Sequence, residues 1–301
     1  MNVNTVKLSL SYAIASKVKD YFQLTKFTLS FMVVFSCVVG YLLVPGVSFD
    51  VWKVLCLFVG GLCITGSANT VNQIVERRSD ALMSRTKKRP LPSGRMQLLE
   101  AIAFATLLGL AGLAIMALEF NFLSAWLSLG SLLLYGFVYT PWKKWNSLAV
   151  LVGAIPGALP PLIGWVAGAG VLSYGGWILF VIQFLWQFPH FWAIAWLAYE
   201  DYNKAGFKLL PSGEGKNQFT ALQAIMYTIL LVPAGWLPYF YKMSGIVSAL
   251  IIFLLSLFFV YRAWQLYRTL DVKAARRLMF GSYIYLTALQ LILLVDKINV
   301  G

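Results

Sequence analysis

The segment at residues 69–94, NTVNQIVERRSDALMSRTKKRPLPSG, carries two acidic and six basic side chains. It begins one residue after an apolar run, VLCLFVGGLCITGS at residues 54–67. A helix that crosses a bilayer needs about 20 predominantly apolar residues, and residues 52–72 meet that requirement. The most densely charged part of the chain therefore begins where an apolar helix is expected to leave a membrane.

The composition of the whole chain is that of an integral membrane protein. Of its 301 residues, 60% are hydrophobic and 12% are charged, and the mean hydropathy is +0.76. A soluble domain cannot bury that much apolar surface. The net charge of +13 then indicates loop orientation and contact with anionic lipid, and we expect no nucleic-acid partner. Cys37, Cys56 and Cys63 have no metal-ligand spacing and are expected to act as small buried hydrophobes.

Nine apolar segments are long enough to span a membrane, which predicts an all-α fold of nine transmembrane helices around a central cavity. Residues 1–26 are expected to form a partly amphipathic cytoplasmic arm, and residues 27–301 a single nine-helix domain. The predicted spans are 27–45, 52–72, 98–117, 121–139, 147–168, 174–197, 219–241, 246–265 and 279–296.

The distribution of basic residues predicts the orientation of these helices. With the N-terminus inside, 21 of the 24 Lys and Arg residues fall on the inner side. The outer side holds Lys53, Lys242 and Lys297. This is a strong positive-inside signal. An odd number of spans then puts the C-terminus outside.

Asn72, Glu76 and Asp80 recur at every fourth position in the charged segment. If the helix continues past the apolar run, they lie along one face, because each four-residue step turns only about 40°. Their oxygens suit a hard cation such as Mg²⁺, and the bases that follow suit the phosphates that often complete a Mg²⁺ site. The alternative is a positive-inside loop whose acids only pair with its bases.

A second acidic site follows the sixth predicted helix. Glu200 and Asp201 lie at its inner end, and the tetrapeptide Leu-Pro-Ser-Gly occurs both at 91–94 and at 210–213. Each copy comes about ten residues after an acidic site on the same side of the membrane, which suggests duplication of a four-helix unit. Two facing acidic clusters would hold two metal ions on one diphosphate.

The fifth predicted helix is rich in proline and glycine. Because proline cannot donate a backbone hydrogen bond, we expect a kink that opens room in the bundle beside the charged loops. The residues concerned are Gly153, Pro156, Gly157, Pro160, Pro161 and Gly164.

His190 is the chain's only histidine and lies next to Pro189 in an aromatic stretch. One interpretation is a structural residue held by a hydrogen bond. The other is a contact with a planar aromatic substrate, in which the imidazole is also a possible metal ligand.

The Asn-x3-acid-x3-Asp motif, the Arg-Pro-Leu that follows it, nine predicted helices and a second acidic motif resemble the UbiA-type intramembrane prenyltransferases. The resemblance covers about residues 20–297. Within that superfamily, the segments at 87–94, 139–165 and 189–211 resemble the enzymes that farnesylate heme. The chain departs from the family in carrying Glu76 where Asp is usual, and in a second motif reduced to two acids.

The resemblance implies a reaction and its participants. Farnesyl diphosphate would bind through Mg²⁺ and bases at the inner face, lose diphosphate, and leave a farnesyl cation. A vinyl group of heme B would attack the cation, and water would add to give heme O. The location implied is a bacterial inner membrane with the site facing the cytoplasm, in contact with lipid, and a downstream heme A synthase is a possible partner.

The resemblance also implies roles for individual residues. Asn72, Glu76, Asp80, Glu200 and Asp201 are the expected metal ligands and, with Lys143, the expected catalytic set. The expected substrate-binding residues are Arg85, Lys88, Arg89, Tyr139, Lys144, Asn146, His190, Tyr202 and Lys204.

Two other functions stay open from the sequence. The same scaffold can prenylate a different acceptor, such as a quinone precursor or a chlorophyll-like ring. A cation-coupled transporter is the more distant alternative, because transporters usually place polar residues near the bilayer midplane and here they gather at one face.

Overall fold

The computed structural model describes residues 15–211 and 215–298, and these residues are helical without a strand. The all-α prediction is therefore confirmed for the described part of the chain. The helices are α1 (Ala15–Thr25), α2 (Phe27–Leu42), α3 (Val51–Asp80), α4 (Leu98–Glu119), α5 (Phe122–Leu133), α6 (Thr140–Trp142), α7 (Ala149–Ala169), α8 (Tyr174–Leu197), α9 (Tyr199–Lys204), α10 (Gln218–Ala234), α11 (Leu237–Phe240), α12 (Ile246–Thr269) and α13 (Val272–Val295).

Among the described residues, eight helices are long and apolar enough to cross a membrane, and a ninth is counted if α1 and α2 form one span. These two helices meet at a bend of 48°. The bend falls at Lys26, whose backbone is left-handed (φ 48°, ψ 53°). Of the predicted arm, residues 1–14 lie outside the described residues, and the remainder is mostly the helix α1.

The predicted fourth and seventh spans, 121–139 and 219–241, lie close to the helical spans Phe122–Trp142 and Gln218–Phe240, and the predicted start of the ninth span was wrong. A π-helical segment, Leu134–Tyr139, joins α5 to α6, and the seventh span is interrupted between α10 and α11. The last helix begins at Val272 rather than 279, because Asp271 caps its N-terminus and its basic first turns hide it from an apolar scan.

Helix α3 determines where the polar residues lie. Asp50 caps its N-terminal end by accepting hydrogen bonds from the amides of Trp52 and Lys53. The helix then runs without interruption for 30 residues to Asp80, well past the apolar run. The helix therefore includes Asn72, Glu76 and Asp80, and these three residues form a stripe along one face of α3.

Two hydrophobic clusters divide the bundle. One gathers residues mainly of α8, α10, α12 and α13, and the other gathers residues of α2, α3, α4, α5 and α7. Helix α7 packs along both α2 and α8 and so joins the two groups. The contact of α7 with α2 needs glycine, because a Cβ on Gly40 would lie 2.1 Å from the Pro161 carbonyl oxygen.

Helix α7 is continuous despite its prolines, because neighbouring side chains bind the carbonyls that the prolines leave free. Pro160 and Pro161 deprive the carbonyls of Pro156 and Gly157 of their intrahelical donors. The Ser131 hydroxyl donates to the first at 3.2 Å. The amide of Gln183 on α8 donates to the second at 2.9 Å. Hydrogen bonds from α5 and α8 therefore satisfy carbonyls that the prolines leave without a donor.

The proposed internal duplication is not tested by this arrangement. The second Leu-Pro-Ser-Gly copy reaches into the short stretch, 212–214, that lies outside the described residues.

Candidate active site

Each residue of the α3 stripe contacts a cation or polar group from another part of the chain. Asn72 is buried, and its side-chain oxygen accepts a hydrogen bond from Lys26 Nζ at 2.9 Å. Its amide nitrogen donates to the Thr140 hydroxyl at 3.2 Å. The bend between α1 and α2 therefore aims an ammonium group at the first residue of the motif.

Glu76 forms a buried ion pair with Lys143. Lys143 Nζ donates to Glu76 Oε1 at 2.8 Å, and the ammonium also lies 4.4 Å from the centre of the Tyr139 ring. Burial lowers the pKa of Lys143. The Glu76 carboxylate and the Tyr139 and Tyr135 hydroxyls together raise that pKa by more than burial lowers it, so the pKa of Lys143 lies above its ordinary value. Lys143 is therefore a permanent cation at this position.

Asp80 is fully buried and forms an ion pair with Arg89, whose Nη1 lies 2.7 Å from Asp80 Oδ2. Its other oxygen, Oδ1, has no hydrogen-bond partner among the described residues. A buried carboxylate oxygen without a donor costs free energy unless a ligand binds it. Of the three stripe residues, Asp80 thus offers the atom best suited to a metal ion.

The cluster contains two carboxylates and three basic side chains. The three basic side chains come from three separate segments: the α1–α2 bend, the loop after α3, and the residue after α6. Such a set suits a metal–diphosphate complex that carries a small net negative charge. The members are Lys26, Glu76, Asp80, Arg89 and Lys143.

The donor atoms fit Mg²⁺ in type, because all are hard oxygens. The described residues contain no group of three His, Cys, Asp or Glu side chains that could hold a metal. A metal at the stripe would therefore rely on the amide of Asn72, on Glu76 and Asp80, and on substrate oxygens or water.

The two residues of the second acidic motif, Glu200 and Asp201, have different surroundings. The Asp201 carboxylate accepts hydrogen bonds from the Ser84 hydroxyl at 2.7 Å and from the backbone amides of Ser84 and Arg85. These bonds hold the pKa of Asp201 below its usual range. Glu200 is 80% exposed and lies 3.9 Å from Lys216. Asp201 thereby joins α9 to the loop that leaves the first motif.

The other residues predicted to bind substrate make no contact with the cluster of Lys26, Glu76, Asp80, Arg89 and Lys143 among the hydrogen bonds and ion pairs of the described residues. Arg85, Lys88, Lys144 and Lys204 are exposed. Asn146 and Tyr202 line a separate cavity of about 410 Å³, between the loop after α6 and the segment after α8.

His190 packs between α8 and α13. Its Nδ1 lies 2.7 Å from the Ser282 hydroxyl, and its ring stacks on Trp186 with centroids 4.6 Å apart. Because the Ser282 hydroxyl donates to the Met279 carbonyl, Nδ1 is the donor of this pair. The lone pair of the histidine is therefore on Nε2. The structural hydrogen bond expected for His190 is present.

Sequence reasoning missed Lys26 and Thr140 as members of the site. Lys26 was counted only as one of the basic residues of the arm. A signal was available, because Lys26 immediately precedes the first apolar run. The hydrogen bond from Lys26 to Asn72 depends on the left-handed backbone conformation of Lys26, and no pattern in the sequence indicates that conformation.

The chain is similar to known proteins over most of its length. The sequence model described as the UbiA prenyltransferase family matches residues 33–286. The chain is 48% identical to the protoheme IX farnesyltransferase of Cytophaga hutchinsonii, with 94% of this chain and 99% of the relative covered. It is 43% identical to that of Flavobacterium johnsoniae, with 98% and 99% covered.

Solved structures share the fold at lower identity. A structure of digeranylgeranylglyceryl phosphate synthase superposes with a TM-score of 0.76 at 23% identity, covering 93% of this chain and 98% of that one. A UbiA homologue from Archaeoglobus fulgidus bound to DMAPP and Mg²⁺ gives a TM-score of 0.67 at 18% identity, covering 92% and 99%. From the family match and the identity to full-length relatives, we conclude that the chain belongs to the UbiA prenyltransferase family.

Proposed function

We propose that this protein transfers the farnesyl group of farnesyl diphosphate to a vinyl group of heme B and forms heme O. The observation that carries the proposal is the set of three basic side chains around the two buried carboxylates of the α3 stripe. The cluster suits a diphosphate leaving group, and the names of the relatives supply the acceptor.

The proposed reaction breaks one C–O bond, forms one C–C bond and adds one water molecule. The allylic C–O bond breaks, and its electron pair leaves with diphosphate. The terminal vinyl carbon of heme bonds to C1 of the farnesyl cation, which moves the positive charge to the carbon next to the ring. Water adds to that carbon and loses a proton, giving a hydroxyethylfarnesyl group. The product is a candidate substrate for a heme A synthase.

The chain's own residues would act mainly on charge. Mg²⁺, when bound, would neutralise charge developing on the leaving diphosphate. Asn72, Glu76 and Asp80 are the proposed ligands, and the unpartnered Oδ1 of Asp80 supports this. Lys26, Arg89 and Lys143 would bind diphosphate oxygens.

Glu200 and Asp201 are proposed to contribute from the facing segment. The Asp201–Ser84 hydrogen bond supports their closeness to the first motif, because Ser84 comes four residues after Asp80. Arg85, Lys88, Lys144 and Lys204 would provide a basic entry surface that attracts the diphosphate from the cytoplasm.

We further infer nine spans, with the α1–α2 pair as the first, a cytoplasmic N-terminus and an external C-terminus. The asymmetry of the basic residues supports this orientation. The site would then open at the cytoplasmic face of a bacterial inner membrane, where lipid-soluble substrates enter sideways into a central cavity. Aromatic side chains in that cavity would shield the cation from premature attack by water.

A product assay tests the function. Purified protein in lipid nanodiscs, given heme B, farnesyl diphosphate and Mg²⁺, should form heme O detectable by mass spectrometry. Chelation of Mg²⁺ should stop the reaction. Asp80→Asn should remove turnover because it loses the charge of the proposed metal ligand, whereas Glu119→Gln at the other end of the bundle should stay active. Farnesylation of a quinone precursor but not of heme would contradict the proposed acceptor.

The role of Lys26 predicts a selective loss of affinity. Lys26→Met removes one charge-assisted contact, which is worth about 1.5–3 kcal/mol, so farnesyl diphosphate should bind about 10- to 100-fold more weakly. Heme affinity should not change. Lys19→Met, an exposed lysine of α1, is the matched control. Calorimetric titration decides the matter, and equal affinities in Lys26→Met and the parent would remove Lys26 from the site.

His190 is proposed to contact the porphyrin through Nε2. Support comes from the hydrogen bond of Nδ1 to Ser282, which leaves Nε2 unprotonated and able to coordinate iron.

This contact predicts a spectroscopic change. His190→Ala should weaken heme binding and shift the Soret band, with farnesyl diphosphate affinity unchanged. Ser282→Ala should keep the ligand but release Nδ1, and so produce a smaller shift. A heme spectrum and affinity that are unaltered in His190→Ala would leave His190 with its structural hydrogen bond alone.

A further inference from the structure

The cavity of about 410 Å³ lies outside the α3 cluster, and no step described above uses it. Its walls come from residues 145–147, after α6, and from residues between Ala195 and Gly215, at the end of α8 and beyond. Both walls belong to segments that the positive-inside pattern assigns to the cytoplasmic face.

The chemistry of the walls favours an anion. Lys208 lines the cavity, and no acidic residue is among the described residues that line it. Lys208 also takes part in no ion pair within the described part of the chain. Asn146 offers its side-chain NH₂ group, because its oxygen already accepts from the Leu148 amide. One cation and an amide donor therefore face a space that no acidic side chain of the described residues lines.

The shape of the walls favours a flat ring. Trp145, Tyr199, Tyr202 and Phe207 contribute aromatic faces, and Trp145 is 73% exposed. The Tyr199 hydroxyl packs directly against Gly215, whose φ is +86°, and a Cβ at residue 215 would come within 2.2 Å of that hydroxyl.

The cavity adjoins the cation–carboxylate cluster. The Lys208 amide donates to the Lys143 carbonyl at 2.8 Å. The Phe207 ring, which lines the cavity, has its centroid 5.9 Å from Lys143 Nζ. A molecule in the cavity is therefore separated from the Lys143–Glu76 pair by about one aromatic ring.

We propose that this cavity binds the carboxylate-bearing edge of the acceptor porphyrin, with Lys208 as the counter-ion; the proposal rests on the proposed function. The two carboxylates and the two vinyl groups of protoheme lie on opposite edges of the ring. Binding the carboxylates at Lys208 directs the vinyl edge away from the cavity, towards Lys143 and the diphosphate. It also leaves the carboxylates at the aqueous face, where their charge need not be desolvated.

A comparison of two hemes tests the proposal. The dimethyl ester of protoheme carries two neutral methyl esters in place of the two carboxylates and keeps both vinyl groups, and binding of either heme can be followed by the Soret band. The parent protein in nanodiscs should bind the diacid at least about tenfold more tightly than the ester. In Lys208→Gln this preference should fall to near one, while Lys208→Arg and the exposed control Lys273→Gln should keep it.

Farnesyl diphosphate titrations separate the other outcomes. Its affinity should be unchanged in Lys208→Gln. If that affinity falls and the heme preference persists, the cavity serves the diphosphate and the proposal is overturned. A heme preference that survives in Lys208→Gln overturns it as well, even when the parent makes heme O. Failure of the parent to convert heme at all would instead remove the proposed function.

Discussion

The structure depends on the burial of charge at the C-terminal end of α3. Because this helix continues from the apolar run into the charged segment, Glu76 and Asp80 lie inside the fold. A buried carboxylate without a cation costs several kcal/mol, so each must be paired. The pairing brings the loop after α3 and the residue after α6 back onto α3, and Lys26 is brought to Asn72 in the same way.

Stability alone does not account for this arrangement. Replacing a buried ion pair with apolar residues is often neutral or stabilising. The cluster also keeps three basic side chains for two carboxylates, and an unpartnered oxygen on Asp80. We infer that these groups are retained because a metal ion and a diphosphate can exchange with the internal partners, so that the same charges hold the apoprotein together and bind the substrate.

Much of this was predictable from the sequence. The apolar segments gave the helices, and the four-residue repeat of Asn72, Glu76 and Asp80 gave the stripe, because both follow from helical periodicity. The partner of each stripe residue was not predictable, because Lys26, Arg89 and Lys143 are distant in sequence from one another and many other bases flank them. The hydrogen bonds to the carbonyls that the α7 prolines leave free were missed for the same reason, since they come from Ser131 and Gln183 on other helices.

A charge swap tests most directly whether the cluster is a binding site rather than a structural device. The single variants Glu76→Lys and Lys143→Glu should each unfold at a lower temperature than the parent, because each leaves like charges buried together. The double variant should recover thermal stability. Calorimetry with Mg²⁺ should nonetheless show farnesyl diphosphate binding at least about tenfold weaker in the double variant, because the metal ligand and the cation have exchanged places. A stable double variant that binds farnesyl diphosphate as tightly as the parent would contradict the account.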